Sequence, residues 1–185
     1  MDRVESPARR AVMAGSVALA ATAVLPVRAS MAPPEIAAEL PGVRLLGSGS
    51  LRFLGLSVYD ARLWAPRPLA DTDYAGVPLA LELEYARRLV GRLIAERSIV
   101  EMRRIGPFDD AQAERWQALL GRIFPNVERG DRLTGVQQPG QGARFFVNGR
   151  AAGEVRDAEF ARLFFGVWLA PQTSQPQLRA ALLGS

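Results

Sequence analysis

Pro78-Leu79-Ala80-Leu81-Glu82-Leu83-Glu84-Tyr85-Ala86 puts an apolar side chain at every second position and carboxylates between them. Successive side chains point to opposite faces of a strand. The stretch therefore reads as a half-buried strand with Leu79, Leu81, Leu83 and Tyr85 on the core side. The period then changes. Over 91–105, Ala95, Ile99 and Met102 share one face of a helix ringed by charges, and Gly106-Pro107 ends it. Residues 109–124 keep the helical spacing with Ala113, Trp116, Leu120 and Ile123; Asp109 or Asp110 is the N-cap and Pro125 the stop.

Upstream, 54–64 alternates Leu54, Leu56 and Val58, facing inward, with Gly55, Ser57 and Tyr59; Pro66 and Pro68 end the strand. Before it, 43–53 carries glycines at 47 and 49 and reads as a strand pair or a bulged strand. Downstream, 132–138 and 143–147 are strands around Pro139-Gly140-Gln141-Gly142, and Asn148-Gly149 is a two-residue hairpin signal into a strand over 151–155. Asp157 caps a helix with Phe160, Leu163, Phe164, Val167 and Trp168 in one stripe, and a short helix follows Thr173-Ser174-Gln175-Pro176. Strands, two helices, a hairpin and further helices make an α+β domain: a largely antiparallel sheet with helices on one face. Trp64, Trp116 and Trp168 read as core packing and Asp131 as a turn residue. A small-molecule cleft belongs between the layers.

The chain has 185 residues, 49% hydrophobic and 23% charged, which suits one domain with its own core. It has no cysteine and no histidine, and all 23 basic residues are arginine. Those absences exclude a disulfide, a thiolate nucleophile, a histidine base and any Cys- or His-ligated metal. The missing lysine excludes Schiff-base chemistry and a P-loop. No cofactor and no metal are expected. Arginine stays protonated, so it holds anions and does not shuttle protons. The net charge is only +4. Arginines and acids interleave along Arg88, Arg92, Glu96, Arg97, Glu101, Arg103 and Arg104, a solvated helix face and not a nucleic-acid surface.

Arg9-Arg10 precede an uncharged apolar run over 11–25, and Val27-Arg28-Ala29 supplies small residues for cleavage after Ala29. Residues 1–29 therefore read as a signal peptide, with the arginine pair suiting twin-arginine export and the general secretory route the other choice. The run is shorter than the ~20 residues of a membrane span, which makes a retained anchor the second choice. Cleavage leaves nineteen arginines against seventeen acids. The expected protein is bacterial, periplasmic or secreted, with a linker over 30–40 and one domain over 41–185.

Gly-Ser-Gly-Ser-Leu-Arg-Phe (47–53), Val58-Tyr59-Asp60-Ala61-Arg62-Leu63-Trp64, Glu101-Met102, Phe124-Pro125-Asn126-Val127, Gly130-Asp131-Arg132-Leu133-Thr134-Gly135 and Phe165-Gly166-Val167-Trp168-Leu169 occur in this order. Together they resemble the bacterial chalcone isomerase-like proteins over nearly all of 40–184. The resemblance implies an open-faced β-sandwich with a ligand cleft between sheet and helices. The plant enzyme of that fold holds an oxyanion with an arginine and polarises a ketone with threonines, a tyrosine and an asparagine. An ungapped placement puts Leu54 and Leu163 at hydroxyl positions, Phe108 at the tyrosine and Arg115 at the asparagine. One missing oxyanion donor costs about 3–4 kcal/mol of barrier, so no catalytic residue is assigned.

In fatty-acid-binding relatives of this fold an arginine, often with a tyrosine, holds a carboxylate. The resemblance implies Arg52, or Arg44 with a shifted gap, in that role, with Tyr59, Phe108 and Leu163 lining the ligand. Against this, Arg52 also fits the solvent face of the sheet and Tyr59 a half-buried sheet aromatic. Three functions follow: a non-catalytic binder of a fatty or aromatic acid, an envelope interaction protein with a closed core, and an isomerase of phenolic or enone substrates. The first is preferred, with a small apolar acid or lipid-like molecule as partner, no nucleic acid, and no membrane span after cleavage.

Overall fold

The structure, a computed structural model, describes residues 31–70 and 73–184. The proposed signal peptide lies outside these residues. Six strands, β1 (Arg44–Phe53), β2 (Leu56–Ala65), β3 (Leu79–Tyr85), β4 (Arg132–Gln138), β5 (Gly142–Val147) and β6 (Arg150–Val155), form one sheet in chain order, and every neighbouring pair is antiparallel. The alternation over 78–86 sets the register of its centre: Leu79, Leu81, Leu83 and Tyr85 join the large core under the helices.

Two tight hairpins flank the sheet. Asn148-Gly149 turns β5 into β6 with φ of 50° and 80°, as the sequence predicts. Leu54-Gly55 turns β1 into β2 with nearly the same values, 49° and 79°. This corrects the inward face expected for 54–64. Leu54 is 86% and Leu56 57% exposed, whereas Tyr59, Ala61, Leu63 and Ala65 pack toward the helices. The alternation was ambiguous in phase there because Leu54 occupies a turn position that normally takes asparagine or glycine. β1 is bulged at two places, between Leu45 and Gly47 and between Leu51 and Arg52.

The helices α2 (Gly91–Ile105), α3 (Asp110–Ile123), α4 (Ala158–Leu169) and α5 (Pro176–Leu183) cover one face. Asp109 and Gln112 close a reciprocal capping box on α3. The Asp157 carboxylate accepts the Glu159 and Phe160 amides at the start of α4, and its second oxygen accepts the Trp116 indole N–H at 3.0 Å. One side chain thus caps α4 and ties it to α3. Gly47 has a packing reason beyond the bulge: a Cβ there would lie 2.2 Å from the Ala181 carbonyl oxygen. Only glycine lets α5 settle this closely on β1.

The segment 30–40, expected as a linker, contains a helix. α1 (Pro34–Glu39) starts on Pro34, which needs no amide partner, and lies on the opposite face of the sheet. Its Ile36 is fully buried with Leu40 against Trp64, Ala80, Val136 and Phe146. Glu35 accepts hydrogen bonds from Arg132 (2.9 Å) and Thr134 (3.3 Å), and Glu39 pairs with Arg144. This cover buries β3 on both faces, so Glu82, expected in water, is 2% exposed. Its carboxylate faces Arg62 (3.1 Å), Arg132 (3.5 Å) and the Trp64 indole N–H (3.3 Å).

Candidate functional site

Tyr59 projects from β2 into the seam between the sheet and α4. Its hydroxyl accepts a 2.9 Å hydrogen bond from the Trp168 indole, and its ring meets Tyr85 of β3 edge-on at 6.0 Å. Cross-strand pairing fixes the tyrosine pair, since Tyr59 sits directly opposite Tyr85. On α2, Glu101 is 6% exposed and ion-paired with Arg97 and Arg104, one turn away on either side. The interleaved charges therefore sink one carboxylate at the seam, where the sequence suggests only a solvated face.

Burial pushes the Tyr59 phenol up to about 12; the Trp168 hydrogen bond pulls against this, and the Glu101 charge adds to it. Burial foremost, with Tyr59 beside it, raises Tyr85 as well. Both phenols therefore keep their proton at physiological pH and do not act as bases. An alkaline prediction follows for Tyr59. Its unfolded pKa is near 10.0 and its folded value about 12. Between these the unfolded state sheds its proton first. The stabilising contribution is complete below pH 10 and is lost as pH rises toward 12, by up to about 3 kcal/mol. Denaturant titrations across that window should show the fall, and Tyr59→Phe should make it shallower, leaving the part due to Tyr85 and Tyr74. Equal slopes in parent and variant would refute the assignment.

The residues singled out from the sequence lie in three places. Arg52 pairs with Ser57 at one end of β1, and Arg44 pairs with Ala65 at the other, about 26 Å away along an extended strand. Both are exposed. Leu51, beside Arg52, stands opposite Tyr59, so Arg52 is the arginine at the tyrosine end. Phe108, in the loop between α2 and α3, packs on Trp116 at 5.0 Å with the Arg103 guanidinium 4.7 Å above its ring. Leu163 is fully buried on α4, where a Cβ on Gly106 would touch it. Arg115 is exposed on α3, and Leu54 stands in the exposed hairpin turn. The structure thus brings Arg52 to the Tyr59 end, keeps Phe108 and Leu163 by the C-terminal end of α2, and sets Arg44 apart.

Tyr85, Trp168 and Glu101 are the seam residues that sequence reasoning missed as a group. The spacing Arg97, Glu101, Arg104 was the available signal for Glu101: cations one turn before and after a carboxylate. Nothing local announces that Trp168 reaches Tyr59, 109 residues away.

Between the layers the space is filled. Phe164 contacts five aromatic rings: Phe124, Phe145, Phe160, Phe165 and Trp168, at centroid distances of 5.3–6.3 Å. Two open surface depressions are present, about 260 Å³ between α2 and α3 and about 350 Å³ over Ser48, Ser50, Asp60 and Arg62. Among the described residues no group of three or more His, Cys, Asp or Glu is arranged to hold a metal ion, and no helix is long and apolar enough to cross a membrane.

Comparison with known proteins gives three findings. A family model described as chalcone isomerase-like matches residues 33–184. An uncharacterized protein of Haemophilus influenzae is 29% identical over 107 residues, which is 58% of this chain and 52% of that one. The chain thus spans about half the length of the curated relative it matches. The crystal structure of an Arabidopsis thaliana fatty-acid binding protein superposes with a TM-score of 0.60 at 16% identity, covering 77% of this chain and 87% of that one. At that identity the likeness is one of fold.

Proposed function

Because the chain belongs to the chalcone isomerase-like family over residues 33–184, we propose that it is a non-catalytic binder of an apolar small molecule with an anionic end, such as a fatty acid. The observation that carries this reading is the Tyr59 end of the seam. A half-buried tyrosine bonded to Trp168 lies on the strand next to Arg52, whose guanidinium has no ion pair with any described residue. A carboxylate at the mouth would meet the Arg52 fork, and its apolar tail would lie along Leu51 toward the phenylalanine cluster. The fatty-acid binding protein that shares the fold supports this ligand class. Phe108 and Leu163 supply no donor for a developing enolate, which supports binding over ring closure. Since aromatic rings fill the interior, entry of a tail requires α4 to shift outward.

Native mass spectrometry of the full chain, after lipid extraction and titration with a long-chain fatty acid, tests the proposal. A one-to-one adduct is expected. Arg52→Ala should weaken it roughly ten-fold or more, the value of a charge-assisted hydrogen bond, and Arg44→Ala should leave it unchanged. Absence of any adduct, or equal binding by Arg52→Ala, defeats the reading. The filled interior favours the second function, an interaction protein with a closed core, and the first of those outcomes would select it. We also propose export, supported by the basic pair and apolar run of residues 1–29. Chain recovered from the producing bacterium should begin at Ser30.

A further inference from the structure

The tip of the β1–β2 hairpin presents Phe53 (66% exposed), Leu54 (86%) and Leu56 (57%) to solvent in four consecutive positions. Scattered exposed leucines need no explanation, but three large apolar side chains around one turn do. Leu54 makes the case sharper. It holds φ of 49°, a left-handed conformation that a leucine side chain disfavours, at a position where the second hairpin of this chain carries Asn148. The same turn geometry is therefore met once with the residue that suits it and once with a residue that does not. Backbone strain kept at an exposed apolar apex points to a use for the side chain and not to folding.

Two arginines without an ion pair to any described residue, Arg52 and Arg87, flank this apex, and Glu128 stands beside Arg88. Arg52 immediately precedes Phe53, and Ser57 is its cross-strand partner. On the other side the Ala86 amide bonds the Val58 carbonyl, so Arg87 and Arg88 leave β3 beside the start of β2. Arg87 and Arg88 are exposed, and Arg87 has no ion pair with a described residue; Arg88 pairs with Glu128 at 3.3 Å. The stretches 52–58 and 86–90 contain no acid, and the latter ends in the exposed Val90. An apolar wedge flanked by guanidinium groups matches a layer with anionic phosphates outside and hydrocarbon inside.

We propose that the Phe53–Leu56 hairpin tip docks this protein on an anionic lipid surface, with the leucines and phenylalanine entering the acyl boundary and Arg52 and Arg87 on the phosphates. The attachment is interfacial and shallow. Arg52 also serves the proposed carboxylate site, so the tip residues and Arg87 alone distinguish lipid docking from ligand binding at the seam.

The absence of cysteine makes a site-specific test clean. Leu54→Cys in the full chain is labelled with a polarity-sensitive fluorophore, and Gln141→Cys, in the β4–β5 turn at the opposite end of the sheet, is the control. With vesicles of phosphatidylcholine and phosphatidylglycerol in equal parts, the tip label should brighten and shift to the blue while the control stays unchanged. Pure phosphatidylcholine, or high salt, should abolish most of the response. Arg87→Gln should weaken binding to the anionic vesicles roughly five-fold, from ~1 kcal/mol for each cation near such a surface. Leu54→Asn should weaken partitioning at least as much, yet melt at or above the parent temperature, because asparagine suits the turn. That separates lost docking from lost folding. Three outcomes overturn the proposal: a silent tip label on chain that sediments with vesicles, equal responses from both labels, or a tip response to raised protein concentration without lipid. The last would make the tip a contact between two copies.

Discussion

Phe164→Ala should destabilise the protein by about 3–5 kcal/mol, the range for removing a fully packed aromatic ring from a core. Phe164 is 3% exposed and is the ring on which the layer interface converges, touching Phe145 from β5, Phe124 after α3, and Phe160, Phe165 and Trp168 of its own helix. Its removal deletes transfer free energy and leaves a hole that neighbours on two layers cannot close together. The hole lies between sheet and helices. A dry apolar cavity of that kind takes up small hydrocarbons. Benzene in the buffer should therefore raise the melting temperature of Phe164→Ala and leave that of the parent alone. Denaturant unfolding measures the first effect and calorimetry the second. A loss under about 1 kcal/mol would show that the interior is loosely filled, and the closed seam described above would have to be given up.

Glu82→Ala should cost about 3 kcal/mol. That is the low end for breaking a buried ion pair, chosen because Arg62 and Arg132 keep 33% and 28% of their side-chain surface in water. The substitution leaves two guanidinium groups short of an acceptor and the Trp64 indole N–H without its partner. It also loosens α1, because Arg132 bridges Glu82 on the sheet to Glu35 on the helix. Amide exchange over 34–40 should accelerate along with the loss of stability. Glu82→Gln keeps an acceptor but drops the charge, so it should fall between parent and alanine. Were Glu82→Ala to cost no more than about 1 kcal/mol, the cluster would be behaving as a surface salt bridge, and the strapping role of α1 would fail.

The two sites differ in how far the sequence anticipated them. The Phe160, Leu163, Phe164 stripe is periodic on one helix, so its burial was legible before its partners were known. Glu82 reads as a solvent residue because the strand alternation is correct. What changes its environment is α1, which reaches β4 and β5 at residues about a hundred positions away. A linker and a covering helix share the same Pro-Pro-Glu opening, and only burial of Ile36 and Leu40 separates them. In the hairpin, Leu54-Gly55 lacked the asparagine that announces its twin, and the phase of β2 was lost with it.

By itself the sequence determined the α+β class, the strand and helix content, the Asp109 and Asp157 caps and the family, because each rests on local periodicity, turn chemistry or residues in order. The absence of histidine, cysteine and lysine likewise limited the chemistry to arginine, carboxylates, hydroxyls, amides and phenols. Tertiary structure alone decided which residues share a site. It put Arg52 opposite Ser57 at the Tyr59 end of β1 and Arg44 at the other end, joined Tyr59 to Trp168, sank Glu101 and Glu82, and packed rings between the layers. Those outcomes depend on contacts between residues far apart in the chain, where shape and desolvation act together and no local pattern records them.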